Sequence, residues 1–520
     1  MSNHDRTPHC HAHCCPHAHA SEGGAGISRR SFLSGISGVA VGSMAFAWAP
    51  WAGVAGTDGG LPVPPARKPL RVKPVLTYAT PQRAPKTSWR PWGGIQTEED
   101  AKAETARILE ELNTLRTSAD FPVEFLPVTA IRDPKQLEGA ADLADADTVL
   151  LYAAGGPSHV FQQFRDQGKD VIYFVRHKSG PVSLWYEIVS PIQLLGHSDE
   201  RVTKNFDEQD VVVDNLGEVL WRLRALCGLR NTMSSRIVAI GGASGWAHPR
   251  APELAKERFK LDIQTVSYPD LAEMIKAARA DHAAVALAQK RAEAYLKLPG
   301  TTLETDLKFV ENAMLLDQIF RSVMKQADCR AITINECMGT IMPMSETTAC
   351  LTLSTLNDDG YMAFCESDFV VVPSGILLSN IAGRPVFLND PTYPHDGLIT
   401  LAHCTGPRKM DGRTVEPARI MTHFESDYGA APKVEMRKGQ ITTNILPGFK
   451  ADRWVGLLGE IVDTPFLAIC RDQIDIRFKC DSLHLAQRMP GFHWMTGYGD
   501  YSKELGYALK RVGIQWEFLG

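Results

Sequence analysis

Beyond residue 60 the chain has no uncharged apolar run as long as the ~18 residues that a membrane-spanning helix needs. It has no basic excess either. Its 55 Lys and Arg against 60 Asp and Glu leave a net charge of −5, too little positive field to draw nucleic acid or an anionic membrane surface. None of the 11 cysteines forms a CxxC pair, which argues against a zinc ribbon. The glycine-rich turn Gly241-Gly242-Ala243-Ser244-Gly245 fits neither a P-loop nor a GxGxxG fingerprint, and reads as a tight strand-to-helix turn. No internal repeat is visible. What is present is ordinary globular composition, 44% hydrophobic and 22% charged over 520 residues, enough for about three domains.

The N-terminus carries an address. Ser28-Arg29-Arg30-Ser31-Phe32-Leu33 is a twin-arginine pattern, followed by a weakly hydrophobic Gly/Ala/Ser-rich stretch from Gly35 to about Ala49. Gly53-Val54-Ala55 supplies small residues for cleavage, so residues 1–55 read as a signal peptide engaging the twin-arginine export machinery. The expected location is periplasmic or otherwise extracytoplasmic. The plainer alternative is a chance Arg pair before a membrane anchor. Ahead of the pair, His4, His9, Cys10, His11, His13, Cys14, Cys15, His17 and His19 form a tract able to bind a soft metal, upstream of the cleavage site. Export would permit disulfides, but folding before export argues for a mostly reduced core.

Residues 56–71 are Gly/Pro-rich and read as a linker. Strands and helices then alternate, giving an α/β fold with two Rossmann-like domains, 72–232 and 233–395. In the first, Thr97 can cap a helix through Leu115, and Thr148–Ala153 and Val171–Val175 read as strands buried on both faces. In the second, Ile237–Ile240, Leu261–Val266 and Ala331–Asn335 are strands, and a helix from about Lys308 to Met324 turns Val310, Ala313, Leu316 and Phe320 inward. The third domain, 396–520, is an antiparallel, barrel-like β domain with a terminal helix. From Arg413 to Cys480 its strands follow one another without intervening helices.

Four side chains end or interrupt apolar runs. They are Glu366 in Cys365-Glu366-Ser367-Asp368, Asp390 after Val386–Asn389, His403 in Ala402-His403-Cys404, and His493 in Phe492-His493-Trp494. Ligands and catalytic groups collect at strand ends in α/β sheets. Two carboxylates with two imidazoles make a hard-to-borderline donor set that suits Mn²⁺ better than zinc.

The stretch from Cys365 to Asp390 resembles the L-fucose isomerase family, in which a Glu is followed by a polar residue and Asp, a helix, a short strand and then Asp. The separation of Glu366 and Asp390, 24 residues, fits that pattern. The segment from His493 through Tyr498-Gly499 to Gly513-Ile514 resembles the family's C-terminal His segment. His403 falls where the related L-arabinose isomerases carry a further His. The resemblance implies an oligomeric, metal-dependent aldose–ketose isomerase acting on a free sugar. It implies Glu366, Asp390, His493 and His403 as metal ligands, with Glu366 and Asp390 doubling as acid and base. Two departures accompany it: Phe492 stands where fucose isomerases carry Asn, which argues against L-fucose itself, and Pro373 interrupts the helix expected after Glu366.

Asp368, His423, Asp427, Glu336 and Trp92 are expected to contact the sugar, although Asp368 could simply cap a helix and Trp92 could be core. Cys404 reads as buried rather than nucleophilic. An exported sugar-binding protein without turnover, and a metal-dependent sugar epimerase or lyase, are the competing readings.

Overall fold

The computed structural model describes residues 48–51, 53, 60–90, 93–137, 141–155, 168–184 and 207–520, all within one unit, Ala47–Gly520. The twin-arginine pattern, the His/Cys tract and Trp92 lie outside the described residues.

Six strands, β1 (Leu70–Thr77), β2 (Val123–Phe125), β3 (Thr129–Ile131), β4 (Thr148–Ala153), β5 (Asp170–Val175) and β6 (Val211–Val213), form the first sheet. Its order is β2-β1-β4-β5-β6, β3 also joins β1, and every pairing is parallel. Parallel strands are covered on both faces, which is why β4 is buried at every position and shows no alternation. The helix Glu98–Ser118 begins where the sequence reading puts it: Thr97 and Asp100 close a reciprocal capping box.

Next come β7 (Arg236–Ile240), β8 (Asp262–Val266), β9 (Thr301–Glu304), β10 (Ala331–Ile334) and β11 (Met362–Phe364). Four of them build a second parallel sheet in the order β11-β10-β7-β8. The helix Leu307–Gln326 buries Val310, Ala313, Leu316 and Phe320 in the core, as its periodicity demands. Burying a side chain the size of Phe320 contributes on the order of 1.5–3 kcal/mol.

The remaining strands are β12 (Phe387–Pro391), β13 (Leu398–His403), β14 (Ala418–Met421), β15 (Ala431–Val434), β16 (Ile441–Pro447), β17 (Arg453–Asp463), β18 (Asp472–Arg477), β19 (Trp494–Tyr498) and β20 (Gln515–Phe518). Six of these close on themselves. The order β16-β19-β12-β13-β18-β17 is completed by β16 pairing with β17, all antiparallel, and β20 adds in parallel outside β17. Inside this barrel Asn389 Nδ2 donates to Thr496 Oγ1 (2.9 Å), and Thr496 Oγ1 donates to Asn444 Oδ1 (2.7 Å). That buried polar chain ties β12, β19 and β16 into one register, since a slip would leave each group unpaired.

Three outcomes differ from the sequence reading. β12, counted there with the central α/β unit, belongs to the barrel. The stretch from Arg413 to Cys480 divides, because β14 and β15 leave the barrel to form a three-stranded sheet with β9. Pro373 does not interrupt a helix. It stands in the first turn of Val372–Ala382, where the N–H that proline lacks has no helical partner anyway.

Candidate functional site

Glu366 follows β11 at the C-terminal end of the second parallel sheet, with φ at +63°, and Ser367 follows at +49°. Two successive side-chain-bearing residues in the left-handed region are strained and persist only where surroundings hold them. Here the turn after β7 does so. Ser244 N donates to Ser367 O (3.1 Å), Phe369 N to Ser244 O (2.9 Å), and Ser367 Oγ to Gly242 O (2.8 Å). The glycine-rich turn is thus stitched to the loop that aims Glu366.

The other three side chains come from one rim of the barrel. Asp390 lies on β12 opposite Ala402, His403 ends β13, and His493 immediately precedes β19. β19 runs antiparallel to β12 with Trp494 opposite Asn389, so the start of β19 and the end of β12 meet. The rim packs onto the central sheet through the fully buried helix Val372–Ala382, whose Gly375 faces Phe364 of β11 and Met495 of β19.

His493 is the hub. Its Nδ1–H donates to Asp368 Oδ2 at 2.7 Å, which turns Nε2 toward Glu366 Oε2 (3.1 Å) and Asp390 Oδ1 (3.3 Å). His403 Nε2 stands 3.8 Å from Glu366 Oε1. Both imidazoles are buried, whereas the side chains of Glu366 and Asp390 keep 34% and 30% of their surface exposed. The acids therefore form the face open to a small molecule, and the histidines form its floor.

Burial alone would lower the basicity of His493, but Asp368, Glu366 and Asp390 outweigh it and push its pKa up to about 10. Burial likewise opposes the charge on Glu366, yet His403 and His493 hold its carboxyl well below the usual range. Asp390 is raised, chiefly by burial. With the acids crowded this closely, the cluster requires a positive charge at its centre, and a divalent cation can supply what a proton on His493 otherwise supplies. Two donor sets have ligand atoms within 4.8 Å of one another: Asp390, His403 and His493, and Cys365, Glu366 and His403. His493 Nε2 and Asp390 Oδ1 are buried without a hydrogen-bond partner. Buried nitrogen and oxygen atoms this close to one another, without well-aligned hydrogen bonds, form a donor set that fits a divalent cation.

No family model matches the sequence. Over 168 residues, 31% of the chain, it is 27% identical to the sulfoquinovose isomerase of Clostridium sp. (strain MSTE9), and the match spans 37% of that protein's length.

The residues expected to contact sugar are placed unevenly. Asp368 is buried and turned to His493, and its Oδ1 also accepts from Val370 N (3.0 Å) at the start of the helix. It therefore stands behind a candidate ligand and closes the turn ahead of the helix, which begins at Val372 without a side-chain cap. His423 is buried in the tight turn 423–428, near Ser426 Oγ (3.3 Å), and burial lowers its pKa to about 4. Asp427 is exposed and accepts from Thr422 Oγ1 (2.9 Å). Glu336 is exposed at the end of β10 with φ at +43°, and accepts from Thr340 Oγ1 (3.1 Å).

The sequence reading missed Trp246. It follows the glycine-rich turn with φ at +47° and stacks on Phe492, ring centres 4.2 Å apart and planes 14° apart. Its edge lies against the His493 ring at 5.8 Å. Both aromatics are 36% exposed, so they form an apolar wall beside the cluster. The available signal was an aromatic directly after a glycine-rich strand end.

Proposed function

We propose that this chain is a metal-dependent aldose–ketose isomerase acting on a free sugar. The observation that carries the reading is the pair of half-open carboxylates, Glu366 and Asp390, set 3.1 and 3.3 Å from the buried His493 Nε2. The similarity to an enzyme named sulfoquinovose isomerase supports it from a separate direction.

Glu366, Asp390, His403 and His493 would hold the cation, with Mn²⁺ the first choice for two carboxylates and two imidazoles. When bound, a divalent metal polarises the sugar carbonyl and steadies the negative charge that develops on its oxygens. The chain's own part is proton movement and positioning. The two acids flank one point, as needed to take a proton from one of the sugar's C1 and C2 positions and return it to the other through an enediol. Asp368 fixes the His493 ring, and the Trp246–Phe492 wall covers one side and restricts water. A wall in place of a polar group at Phe492 favours a sugar that turns an apolar face toward it.

We read the two parallel sheets as Rossmann-like units, the assembled enzyme as a homo-oligomer, and Ser28–Leu33 as the signal for twin-arginine export to an extracytoplasmic space.

The test is to incubate metal-loaded protein in D₂O with a panel of aldoses and ketoses, sulfoquinovose included, and to follow C–H to C–D exchange at C1 and C2 by NMR. Exchange with interconversion supports isomerisation. Binding of a sugar without exchange would instead support an exported sugar-binding protein.

A further inference from the structure

We propose that Cys365 is itself a metal ligand, so that the centre accepts a borderline, thiol-tolerant cation such as Zn²⁺ or Co²⁺ on its Cys365–Glu366–His403 side. The inference rests on reading this cluster as a metal centre and revises its cation: the two carboxylates and two imidazoles alone suit Mn²⁺, and a thiolate beside them shifts the preference to Zn²⁺ or Co²⁺. It does not depend on turnover.

The ligand atoms of Cys365, Glu366 and His403 lie within 4.8 Å of one another, a spread that small side-chain adjustments close to a coordination sphere. Two of the three, Glu366 and His403, also face the Asp390 and His493 side. His493 Nε2, wholly buried, lies 3.1 Å from Glu366 Oε2, the second oxygen of the carboxylate whose Oε1 is nearest His403. A cation held by Glu366 and His403 therefore has one neighbour set made of oxygen and nitrogen and another that adds sulfur. Cys365 is buried, so its sulfur has no competing solvent contact. A thiolate in the donor set moves preference away from hard ions such as Mg²⁺ and Ca²⁺ and toward zinc and cobalt. On coordination the Cys365 thiol gives up its proton to solvent, and no electron is transferred.

Cys337 is the rival sulfur. It is buried beside Cys365, within hydrogen-bonding reach of it, but it falls outside both donor sets among the described residues. Cys350 and Cys404 face each other with sulfurs 3.3 Å apart, but Cys404 Sγ also lies 3.8 Å from His403 Nδ1, so the control sulfur is Cys227, which is set against Pro122 O in the first α/β unit.

The experiment is X-ray absorption at the zinc edge on the full chain, reduced, stripped of metal and reloaded with one equivalent of Zn²⁺. A sulfur shell at about 2.3 Å, distinct from the nitrogen and oxygen shell at about 2.0–2.2 Å, is expected. It should disappear in Cys365→Ser and persist in Cys337→Ser and Cys227→Ser. The Co²⁺-loaded protein should show a near-ultraviolet sulfur-to-cobalt charge-transfer band with the same dependence. Wild-type protein whose zinc sees only nitrogen and oxygen overturns the proposal without any variant having to fold. A sulfur shell that follows Cys337 overturns it equally. Neither result touches the isomerase reading, which stands or falls on proton exchange.

Discussion

His493 Nδ1 lies 2.7 Å from Asp368 Oδ2, and the two residues are 125 positions apart in the chain. This contact selects Nε2 as the nitrogen that faces Glu366 and Asp390. Partners of this kind set ring orientation and raise ligand basicity, and losing one typically costs 10–100-fold in metal affinity. Asp368→Asn should weaken metal binding by that factor in isothermal titration calorimetry. If metal binds as before and only ~1 kcal/mol of stability disappears, Asp368 acts solely through its turn hydrogen bond to Val370 N.

Glu366→Gln and Asp390→Asn keep side-chain size and remove a base. Each should lower sugar C–H exchange by at least the ~10²–10⁴-fold of a lost general base, and each should lower metal content measured by atomic absorption. Full metal and full exchange in both variants would make these residues structural and end the isomerase reading.

Gly375→Ala sets two effects against each other. Replacing a helical glycine ordinarily gains about 1 kcal/mol. At Gly375 an added Cβ would fall 2.5 Å from Phe364 Cε1 and 2.6 Å from Met495 Cε. Met495 can swing away but the Phe364 ring is walled in, and overpacking costs roughly 1–3 kcal/mol. Because Phe364 precedes Glu366 by two residues and Met495 follows His493 by two, the strain reaches both. Denaturant unfolding should show a net loss of stability, and calorimetry a weaker metal site. A stabilised variant would mean that the helix seat is looser than the packing requires.

Much of this was readable before the structure, and for identifiable reasons. Glu366, Asp390, His403 and His493 each break an apolar run, which by itself fits a surface position equally well, and it is the fold that brings the four side chains together. The capping box at Thr97 is local chemistry and follows from two residues. What was not readable depends on partners distant in sequence. An apolar run of four or five residues does not say whether its neighbours run parallel or antiparallel, so Val386–Asn389 looked like an α/β strand and proved to be a barrel stave. Asp368 was expected at the sugar, with a helix cap as the alternative, because the partner that decides, His493, is far along the chain. Trp246 was not singled out, because its stacking partner Phe492 is far along the chain and its left-handed backbone is not a preference of its own. Cys365 was not singled out, because a lone cysteine at the end of an apolar run does not say which neighbours its thiol meets.

Export is tested in the cell. Arg29→Lys with Arg30→Lys keeps the charge of the pattern and removes the pair that the twin-arginine route reads. The expected result is an uncleaved precursor retained in the cytoplasm by fractionation and immunoblotting. Continued export of the double variant through the general secretory route would refute the assignment.

Glu416 gives the pH prediction. Burial against the barrel raises its pKa from 4.5 to about 7, against opposing hydrogen bonds from Arg437 N (3.0 Å) and Tyr498 Oη (3.0 and 3.2 Å). A carboxyl whose folded pKa exceeds its unfolded one binds more protons when folded across the interval between them. Its contribution to stability is therefore complete below about 4.5 and is lost as pH rises through about 7. At about 1.4 kcal/mol for each pKa unit, the loss is large enough to see in urea titrations. Glu416→Gln is neutral at every pH, can accept from Arg437 N through its amide oxygen, and can donate to Tyr498 Oη through its amide nitrogen. The variant should flatten the fall in stability between pH 5 and 8 that the unaltered chain shows, with the two curves diverging most above pH 7. Parallel curves would mean that Glu416 ionises in the folded protein as it does in water, with Tyr498 and Arg437 offsetting its burial.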